Sequence, residues 1–432
     1  MIRLSHIFIN TLSAGYFPVR WKKAIVRLIP KQGKSPYKVE NYRPISLLEV
    51  PGKILERIIN KRLRTHLEIN NIYNENQFGF RTGRGTTHAL AVITEQIAQH
   101  KADSGQCQVI LRDVTKAFDK VWHTGLKYKI LHLQLPITIE KFLSDFLDGR
   151  HAAIKIINHI GPTFELACGV PQGSVLSPTL YTIYTNDLEI SNRHINISYA
   201  DDITQIVGYP GKSKNIMNKQ TERAILHVNR FEELWRIQTN LTKFTPLHLG
   251  AKITNPLNIE DDLIEFQYEG KCLGLHITTN GYIWIHMKER KNKALAALKK
   301  LYRLQEMPNK IKIHLVKALI LPILDYPQIP IHSLSKTQIS KLQKVQNKAL
   351  RFAMNQRYPY TLNNIQIHEI TNTLPLNIRL HERAKKIWDR LEDLEHQTII
   401  KLKENRENIY RYNRNLPSSL SLYNTSPEPV YK

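Results

Sequence analysis

Two adjacent aspartates at the tip of a predicted β-hairpin constrain the fold of this chain more than any other feature. The string ISYADDITQIV, residues 197–207, puts Asp201 and Asp202 between two runs of β-prone residues. The strands of such a hairpin bury their apolar side chains, whereas the tip exposes the acids to a ligand. Adjacent carboxylates repel each other, and a divalent cation relieves that repulsion. Because Asp is also a common turn residue, the pair alone does not distinguish a metal site from an ordinary turn.

A second acidic string offers a partner for this tip. VILRDVTKAFDKVWH, residues 109–123, has Asp113 at the end of a β-prone run, followed by Phe118 and Asp119. An aspartate that leaves one strand beside a hairpin carrying another acid is the arrangement that holds two Mg²⁺ ions about 3.5–4 Å apart. Such ions activate a sugar 3′-hydroxyl and stabilise a leaving pyrophosphate. The alternative for this string alone is a structural or capping aspartate.

A glycine-rich turn precedes a predicted helix in the third string, GVPQGSVLSPTLYTIYTNDL, residues 169–188. Gly169, Pro171 and Gly173 predict a tight turn without side chains, and Ser174 is a favoured residue for capping the helix that follows. Such a turn lets a nucleotide or a nucleic-acid backbone approach closely. As a single feature it is also common in loops before helices.

The remaining patterns predict an α+β fold. Strands are expected over residues 24–29 and 109–114, a hairpin over 195–207, and helices over 54–67, 124–133, 174–187 and 221–235. The first of these helices has an apolar stripe of Ile54, Ile58, Leu63 and Leu67. This interleaving predicts an antiparallel sheet with helices on one face. After residue 285 the sequence becomes helical and strongly basic.

The charge of the chain indicates a polyanionic partner. Sixty-two Lys and Arg against 37 Asp and Glu give a net charge of +25, which favours nucleic acid over an anionic membrane surface. On a predicted helix at residues 339–351, the basic residues share the face opposite the apolar stripe. They are Lys341, Lys344, Lys348 and Arg351. A solvated face is the alternative, but no acidic residue interrupts the run, so a helix that follows phosphates is favoured.

The cysteines and the apolar segments restrict where the protein works. Cys107, Cys168 and Cys272 lie far apart without a C-x-x-C pair, which excludes a disulfide framework and a cysteine zinc site. The N-terminus has no secretory signal pattern, and the longest apolar run is too short to span a bilayer. We therefore expect an intracellular protein of the cytoplasm or nucleus with no membrane partner.

In combination, the three strings resemble reverse transcriptases. D-x-x-x-A-F-D, G-x-P-Q-G-S-x-L-S-P and Y-A-D-D occur in that order, and the segments around WKKAIVRLIPKQ and NQFGFRTGRGT are similar to the non-LTR retrotransposon branch. AFDKVWH is typical of jockey-like elements. WRIQTNLTK, CLGLHI and ISKLQKVQNKALRF resemble the fourth palm motif, the primer grip and the thumb helices of that group. The resemblance covers about residues 5–385.

This resemblance implies a right-hand polymerase fold of the α+β class, with fingers, a palm of antiparallel sheet plus helices, and a helical thumb. The implied divisions are 1–105 for the fingers with part of the palm, 106–280 for the palm, 281–360 for the thumb, 361–410 for a helical C-terminal extension and 411–432 for a disordered tail.

The resemblance also implies a role for each motif residue. Asp113, Asp201 and Asp202 would be the catalytic carboxylates that bind two Mg²⁺ ions, or Mn²⁺ in their place. Phe118 would be the steric gate that fills the space of a ribose 2′-hydroxyl. The residues implied in nucleotide binding are Lys31, Arg43, Phe118, Gln172 and Lys243, with Lys31 alternatively a plain loop cation. Those implied in primer or template contact are Gly173, Gly274, Lys341, Lys344, Lys348 and Arg351.

Three positions depart from the family pattern. Arg112 replaces an apolar residue directly before Asp113, and strand alternation turns it to the opposite face, where it needs a partner or a route to solvent. Cys272 stands where a Tyr is usual before Leu-Gly, and Pro327 stands where a small residue is usual. These changes concern the packing of palm and thumb.

The implied function is RNA-directed DNA synthesis from a primer 3′-hydroxyl, with an RNA template, a DNA primer or target and deoxynucleoside triphosphates as partners. The alternatives are a catalytically inactive, truncated retroelement relic that only binds nucleic acid, and a group II intron-type maturase. Because the chain begins close to the fingers segment, no endonuclease domain is expected within it. The sequence leaves the oligomeric state open.

Overall fold

The computed structural model describes residues 2–188, 194–250, 255–260, 262–279, 284–327, 336–393, 400 and 429–431. The described helices are α1 (Ile2–Ala14), α2 (Val50–Ile69), α3 (Thr86–Ser104), α4 (His123–Leu131), α5 (Ile137–Leu147), α6 (Ser177–Tyr184), α7 (Lys214–Leu234), α8 (Trp284–Leu301), α9 (Asn309–Leu319), α10 (Leu321–Asp325), α11 (Lys336–Ala353), α12 (Asn364–Ile370) and α13 (Leu376–Asp393). The described strands are β1 (Lys23–Pro30), β2 (Tyr42–Leu47), β3 (Cys107–Asp113), β4 (His151–Ile156), β5 (His159–Glu165), β6 (His194–Tyr199), β7 (Asp202–Val207), β8 (Thr245–Leu249), β9 (Leu257–Ile259), β10 (Asp262–Ile264), β11 (Glu269–Cys272) and β12 (Leu275–Thr278).

The central sheet is antiparallel and has the strand order β6-β7-β3-β8. Its middle strand β3 is buried on both faces because its side chains alternate between two helical layers. Val109 and Leu111 pack with α3, whereas Ile110 packs with Ile225 of α7. The prediction of an antiparallel sheet is confirmed, but helices cover both of its faces, so the expectation of helices on one face is wrong.

A second sheet has the order β2-β1-β4-β5. Strand β1 pairs antiparallel with β2 and parallel with β4. The hairpin of β4 and β5 therefore belongs to the same sheet as the N-terminal strands β1 and β2. Residues 151–165 were assigned to the palm range 106–280 from the sequence. The structure instead places them with residues 23–47, because Ala24, Val26 and Ala152 share one small apolar core.

Helix α2 packs in a core that it shares with α4, α5 and α6. Its buried stripe consists of Leu55, Ile59, Leu63 and Leu67. The predicted stripe used Ile54 and Ile58, which are 41% and 36% exposed. The helix therefore presents Leu55 and Ile59 to the core in place of the predicted pair, whereas Leu63 and Leu67 are buried as predicted.

The helices after residue 284 form a third core, to which α8, α9, α10, α11 and α12 contribute. Helix α13 extends from this core to the central sheet. Leu376 and Leu380 at its start pack in the helical core, whereas Ile387, Trp388 and Leu391 pack against the α3 side of the central sheet. The expected C-terminal extension is therefore part of the packing between the helical bundle and the sheet.

The described end of the chain differs from the expected disordered tail of residues 411–432. Residues 411–428 and 432 lie outside the described residues. The Val430 N–H donates a hydrogen bond to Asn377 Oδ1 at 3.1 Å. The Tyr431 carbonyl accepts bonds from the amides of Asn347 and Asn364, each at 2.9 Å. Polar side chains of the helical bundle thus satisfy the backbone of residues 430 and 431.

The three cysteines are free, as their spacing predicts. Burial raises the pKa of the Cys107 and Cys272 thiols to about 12, so both are protonated at neutral pH. The exposed Cys168 lies on the turn that follows β5. Among the described residues, no helix is long and apolar enough to cross a membrane.

We expect the ion pair between α10 and α13 to be essential for the stability of the helical bundle. Asp325 is fully buried, and its carboxylate accepts hydrogen bonds from Arg379 Nε and Nη2 at 2.6–3.0 Å. Replacing Asp325 with Ala leaves a buried guanidinium unpaired and should lower the free energy of unfolding by about 3–5 kcal/mol.

Denaturant unfolding measures this loss. Asp148→Ala is the matched control, because Asp148 is half exposed in its pair with Lys127 and should cost about 1 kcal/mol or less. Equal losses for the two variants would contradict the assignment of a special role to the Asp325 pair.

Candidate active site

Antiparallel pairing brings the three predicted carboxylates to one end of the central sheet. Asp113, the last residue of β3, is the register partner of Asp202, the first residue of β7. The Val114 N–H donates to the Asp201 carbonyl at 3.2 Å, which continues the ladder into the turn. Asp113, Asp201 and Asp202 therefore lie together, as the sequence predicts.

The turn that carries the aspartates is tight and closely packed. Ala200 adopts a φ of +58°, which compresses the link between β6 and β7. A Cβ atom on Gly79 would lie 2.3 Å from the Ala200 nitrogen, so only glycine permits this contact. The segment before it is held by the Phe78 N–H, which donates to the Ser198 carbonyl at 2.8 Å. Residues 76–79 thus support the acidic turn from the outside.

The electrostatics of the site are unfavourable for three free anions. Burial, together with the charges of Asp201 and Asp113, raises the pKa of Asp202 to about 6. Burial and the Asp113 charge also raise the pKa of Asp201, against the opposing effect of the Lys243 and Arg43 charges. A bound cation would offset this repulsion.

Lys243 contacts the acidic cluster directly. Its Nζ atom lies 2.8 Å from Asp113 Oδ1, and more than half of its side chain is exposed. The backbone of its segment is joined to the end of β3, because the Asn240 N–H donates to the Asp113 carbonyl and the Thr115 N–H to the Gln238 carbonyl, each at 2.7 Å. The ammonium group of Lys243 thus neutralises one of the three carboxylates.

A cleft extends from the acids to the β11–β12 hairpin. It is lined by Asp113, Asp202 and Lys243 on one side and by Lys271, Cys272 and Gly274 on the other. Gly274 has a φ of +84°, and its carbonyl accepts a hydrogen bond from Arg290 Nη2 at 2.9 Å. The hairpin tip is therefore fixed to helix α8 and faces the same space as the carboxylates.

The glycine-rich turn connects the two sheets. The Ser46 N–H of β2 donates to the Gln172 carbonyl at 2.7 Å, and Gln172 Nε2 donates to Asp119 Oδ1 at 2.8 Å. A Cβ atom on Gly173 would lie 2.4 Å from the Ser46 carbonyl oxygen. Gly173, predicted to contact primer or template, is thus already in close contact with β2.

Glu56 is a supporting residue that the sequence analysis missed. It is 1% exposed, and its Oε2 atom accepts from Ser174 Oγ at 2.6 Å and from the Val175 N–H at 2.7 Å. It therefore anchors the turn that carries Gln172. An acid directly beside the apolar stripe of α2 was the signal available in the sequence.

Phe118 lies between two other aromatic rings. It stacks on the buried Tyr181 with centroids 5.1 Å apart, and Phe80 meets it edge-on at 6.0 Å. Burial raises the pKa of Tyr181 strongly, so its phenol is protonated. The ring proposed as the steric gate is thus fixed by packing on both sides.

The two cationic residues predicted to bind nucleotide lie at the second sheet, one directly after β1 and one on β2. Lys31 follows β1 directly, and its Nζ donates to the Glu40 carbonyl at 2.9 Å. Arg43 is exposed on β2, opposite Ile29 of β1. The Lys31 charge lowers the pKa of Asp119, and the Arg43 charge lowers that of Asp201, although burial raises both values overall. Arg43 therefore acts electrostatically on the acidic cluster, whereas Lys31 acts on Asp119 beside the glycine-rich turn.

The basic face predicted for residues 339–351 divides into two parts. Lys341, Lys344 and Lys348 are exposed along α11. Arg351 instead donates to the Leu362 carbonyl at 3.1 Å and to Asn364 Oδ1 at 2.8 Å, and its guanidinium lies 3.7 Å from the Tyr360 ring centroid. Three of the four residues form an exposed stripe, while the fourth holds the loop after the helix.

Arg112 has the buried partner that the sequence requires. Its side chain is on the α7 side of the sheet, where it lies 3.3 Å from Glu232 Oε1 and donates to Gln205 Oε1 at 2.8 Å. The departure from the family pattern is thus compensated by a buried ion pair.

The donor set of Asp113, Asp201 and Asp202 fits a hard divalent cation. Three clustered carboxylates, of which Asp201 and Asp202 have raised pKa values, provide the oxygen ligands that Mg²⁺ prefers, and only one ammonium group among the described side chains contacts them. Within the described part of the chain, however, no group of three or more acidic, His or Cys side chains is already arranged as a metal cage. Lys243 Nζ lies 2.8 Å from Asp113 Oδ1, so a cation bound by Asp113 would compete with this ammonium group.

We expect Asp202 to destabilise the metal-free protein at neutral pH. Because its pKa is about 6 in the folded state and near 3.8 when unperturbed, the folded state binds more protons between these values, and stability falls as the pH rises through this window. Asp202→Asn should therefore raise the free energy of unfolding at pH 7 by on the order of 1 kcal/mol, with little effect below about pH 4.

Denaturant unfolding across this pH range, in the presence of a chelator, measures the effect. Asp389→Asn, at an exposed position of α13, is the matched control and should change little. A gain for Asp202→Asn that did not depend on pH would show that its cause is not the carboxylate charge.

Known protein families account for this arrangement. A family model described as reverse transcriptase (RNA-dependent DNA polymerase) matches residues 29–277. The chain is 27% identical over 431 residues to the probable RNA-directed DNA polymerase from transposon X-element of Drosophila melanogaster, with 97% of this chain and 47% of that protein covered. It is 30% identical over 420 residues to the RNA-directed DNA polymerase from mobile element jockey of Drosophila funebris, covering 91% and 44%.

The chain thus spans less than half the length of these two relatives. Among solved structures, telomerase from Candida albicans in complex with a TWJ fragment of telomeric RNA gives a TM-score of 0.46 at 11% identity, with 86% of this chain and 70% of that chain covered. The family match includes the central sheet and all three carboxylates and confirms the predicted α+β fold of the right-hand polymerase type, and the named relatives confirm the resemblance to jockey-like elements. The chain belongs to the reverse transcriptase family.

Proposed function

We propose that this chain is an RNA-directed DNA polymerase of a non-LTR retrotransposon that extends a primer 3′-hydroxyl on an RNA template. The observation that carries the proposal is the register of β3 against β7, which brings Asp113 to Asp201 and Asp202 at the cleft. The named relatives over most of the chain support the same activity. The substrates are deoxynucleoside triphosphates, and the reaction takes place in the cytoplasm or nucleus.

In this proposal the three aspartates hold Mg²⁺, with Mn²⁺ as a substitute. The metal supplies charge neutralisation at the reacting phosphate and lowers the pKa of the attacking hydroxyl. Lys31 and Arg43 bind the triphosphate from the second sheet, because the Arg43 charge acts on Asp201 and the Lys31 charge acts on Asp119, the partner of Gln172. Gln172 orients the nucleotide from the glycine-rich turn, and Lys243 lies near the leaving phosphates.

The nucleic acid follows the cleft from the carboxylates toward the helical bundle. Gly274 leaves the hairpin tip bare where the primer passes, and Gly173, which is exposed although it lies against Ser46 of β2, contacts the primer or template at the turn. The exposed Lys341, Lys344 and Lys348 continue the basic path along α11, where phosphates replace solvent counter-ions. Arg351 contributes by holding the loop behind this stripe.

Primer extension tests the activity. The purified chain with a primed RNA template, Mg²⁺ and deoxynucleotides should extend the primer, and Asp201→Asn should remove extension because one of the clustered carboxylates is lost. RNA binding at several salt concentrations is measured on the same samples and should remain unchanged in the variant. Salt-sensitive binding without extension by the native chain would overturn the proposal in favour of a nucleic-acid-binding relic.

Sugar selection tests the role of Phe118. Phe118→Val removes the ring held between Tyr181 and Phe80 and opens space for a 2′-hydroxyl. The preference for deoxynucleotides over ribonucleotides, measured as the ratio of kcat/KM, should fall by about tenfold or more. Phe164→Val on the exposed β5 is the matched control and should leave the ratio unchanged. An unchanged ratio for Phe118→Val would remove the gate assignment.

A further inference from the structure

A continuous chain of polar contacts runs behind the acidic site, from Arg112 to Thr239. Arg112 is 3% exposed, and its guanidinium donates to Gln205 Oε1 at 2.8 Å, to Asn229 Oδ1 at 2.9 Å and to the Ile225 carbonyl at 3.0 Å. It also lies 3.3 Å from Glu232 Oε1. The ion pair thus joins α7 to β3 at Arg112, the residue directly before Asp113.

Glu232 extends this chain to the segment that carries Lys243. The Glu232 carboxylate is 7% exposed, and both of its oxygens accept from Thr239 Oγ1, at 2.5 and 2.6 Å. Thr239 forms an isolated β-bridge with Val114. Lys243 lies four residues further on and contacts Asp113 Oδ1 at 2.8 Å. The Thr239 hydroxyl therefore links a buried ion pair to the backbone from which Lys243 reaches the acids.

We propose that Thr239, held by Glu232 and Arg112, is a positioning residue that keeps Lys243 on Asp113 and thereby weakens the binding of a divalent cation at the carboxylates. The inference rests on the proposed function, because it concerns the same acidic site. Lys243 Nζ and a cation compete for the Asp113 carboxylate, so the firmness with which residues 238–243 are held sets how readily Lys243 gives way.

The ion pair makes this anchor rigid. A Glu232 carboxylate that was buried without Arg112 would have to be protonated or would be strongly unfavourable, and either state would weaken its bonds to Thr239. Arg112, Glu232 and Thr239 therefore act as one unit. This assigns a role to the arginine that stands in place of an apolar residue at position 112.

The backbone of Asp113 depends only in part on the segment that carries Lys243, whose Asn240 N–H donates to the Asp113 carbonyl at 2.7 Å. It is held in the sheet by β7 on one side and by β8 along most of β3 on the other. Loosening residues 238–243 should thus release Lys243 while Asp113 stays opposite Asp202. If Thr239 held residues 238–243 less firmly, the three carboxylates should therefore bind a divalent cation more tightly.

Mn²⁺ titration of the purified full chain, followed by electron paramagnetic resonance without nucleotide or nucleic acid, tests the proposal. Thr239→Val removes the hydroxyl without removing a buried charge, and we expect the Kd for Mn²⁺ to fall about two- to fivefold. Lys243→Gln should lower the Kd at least as much. The double variant should match Lys243→Gln alone, because Thr239 acts through Lys243. Asp113→Asn should weaken Mn²⁺ binding in every background, which identifies the site.

Two further variants control for folding and for loss of a hydroxyl. Thr239→Ser keeps the hydroxyl and should restore the native Kd. Thr371→Val removes a buried hydroxyl that bonds to the Ile367 carbonyl in α12, away from the site, and should leave the Kd unchanged. An unchanged or higher Kd for Thr239→Val would overturn the proposal. A gain that adds fully to that of Lys243→Gln would overturn it as well, and so would the absence of Mn²⁺ binding by the native chain.

Primer extension separates this inference from the proposed function. Thr239→Val should lower kcat with little change in the KM for nucleotide, because Lys243 is less well placed. If the native chain bound Mn²⁺ with the predicted pattern but extended no primer, the proposed function would fail while the positioning role stood. If the native chain extended the primer but Thr239→Val left the Kd for Mn²⁺ unchanged, the proposed function would stand and the positioning role would fail.

Discussion

The backbone ladder between β3 and β7 is the interaction on which the rest of the site depends. It holds Asp113 opposite Asp202 although their charges repel each other, and it can do so because both strands are paired and buried over several residues. Hydrogen bonds far from the acids therefore stabilise an arrangement that the acids themselves disfavour. A shift in register by one residue would turn every side chain of β3 to the other face and separate the carboxylates.

The contacts around this ladder come from both sheets and from the helical bundle. Glu56 fixes the glycine-rich turn, residues 76–79 support the acidic turn, and Arg290 fixes the tip of the β11–β12 hairpin. Tyr326, at the end of α10, donates to the Leu273 carbonyl of the same tip. The elements around the acidic site are thus attached to different parts of the fold, and the site lies where the sheets and the helical bundle meet.

The sequence predicts the acidic cluster well because its determinants are local. Asp201 and Asp202 are adjacent in the chain, and a β-prone run places Asp113 at a strand end, so the hairpin needs only ordinary pairing to unite them. Arg112 was likewise expected on the opposite face from Asp113, since side chains alternate along a strand. The partner of Arg112 was not predictable, because Glu232 lies 120 residues away in sequence.

The errors have the same origin. In α2 two overlapping stripes satisfy helical spacing, and only the packing of α4, α5 and α6 selects Leu55 and Ile59 over Ile54 and Ile58. Helices were expected on one face of the sheet because the sequence patterns did not predict α3, which covers the other face together with the end of α13. The contact of Lys243 with Asp113 could not be predicted either, because it depends on the path of the backbone from Gln238 to Asn240.

The parallel pairing of β1 with β4 has a consequence for how the chain is made. The sheet β2-β1-β4-β5 takes two strands from before β3 and two from after it. During synthesis, β1 and β2 leave the ribosome with one edge unpaired, and that edge stays open until residues 31–150 and then β4 have followed. The central strand β3 lies inside this interval, so strands of the second sheet both precede and follow it in the chain. The N-terminal sheet is accordingly the first to begin and depends on the middle of the chain for its completion.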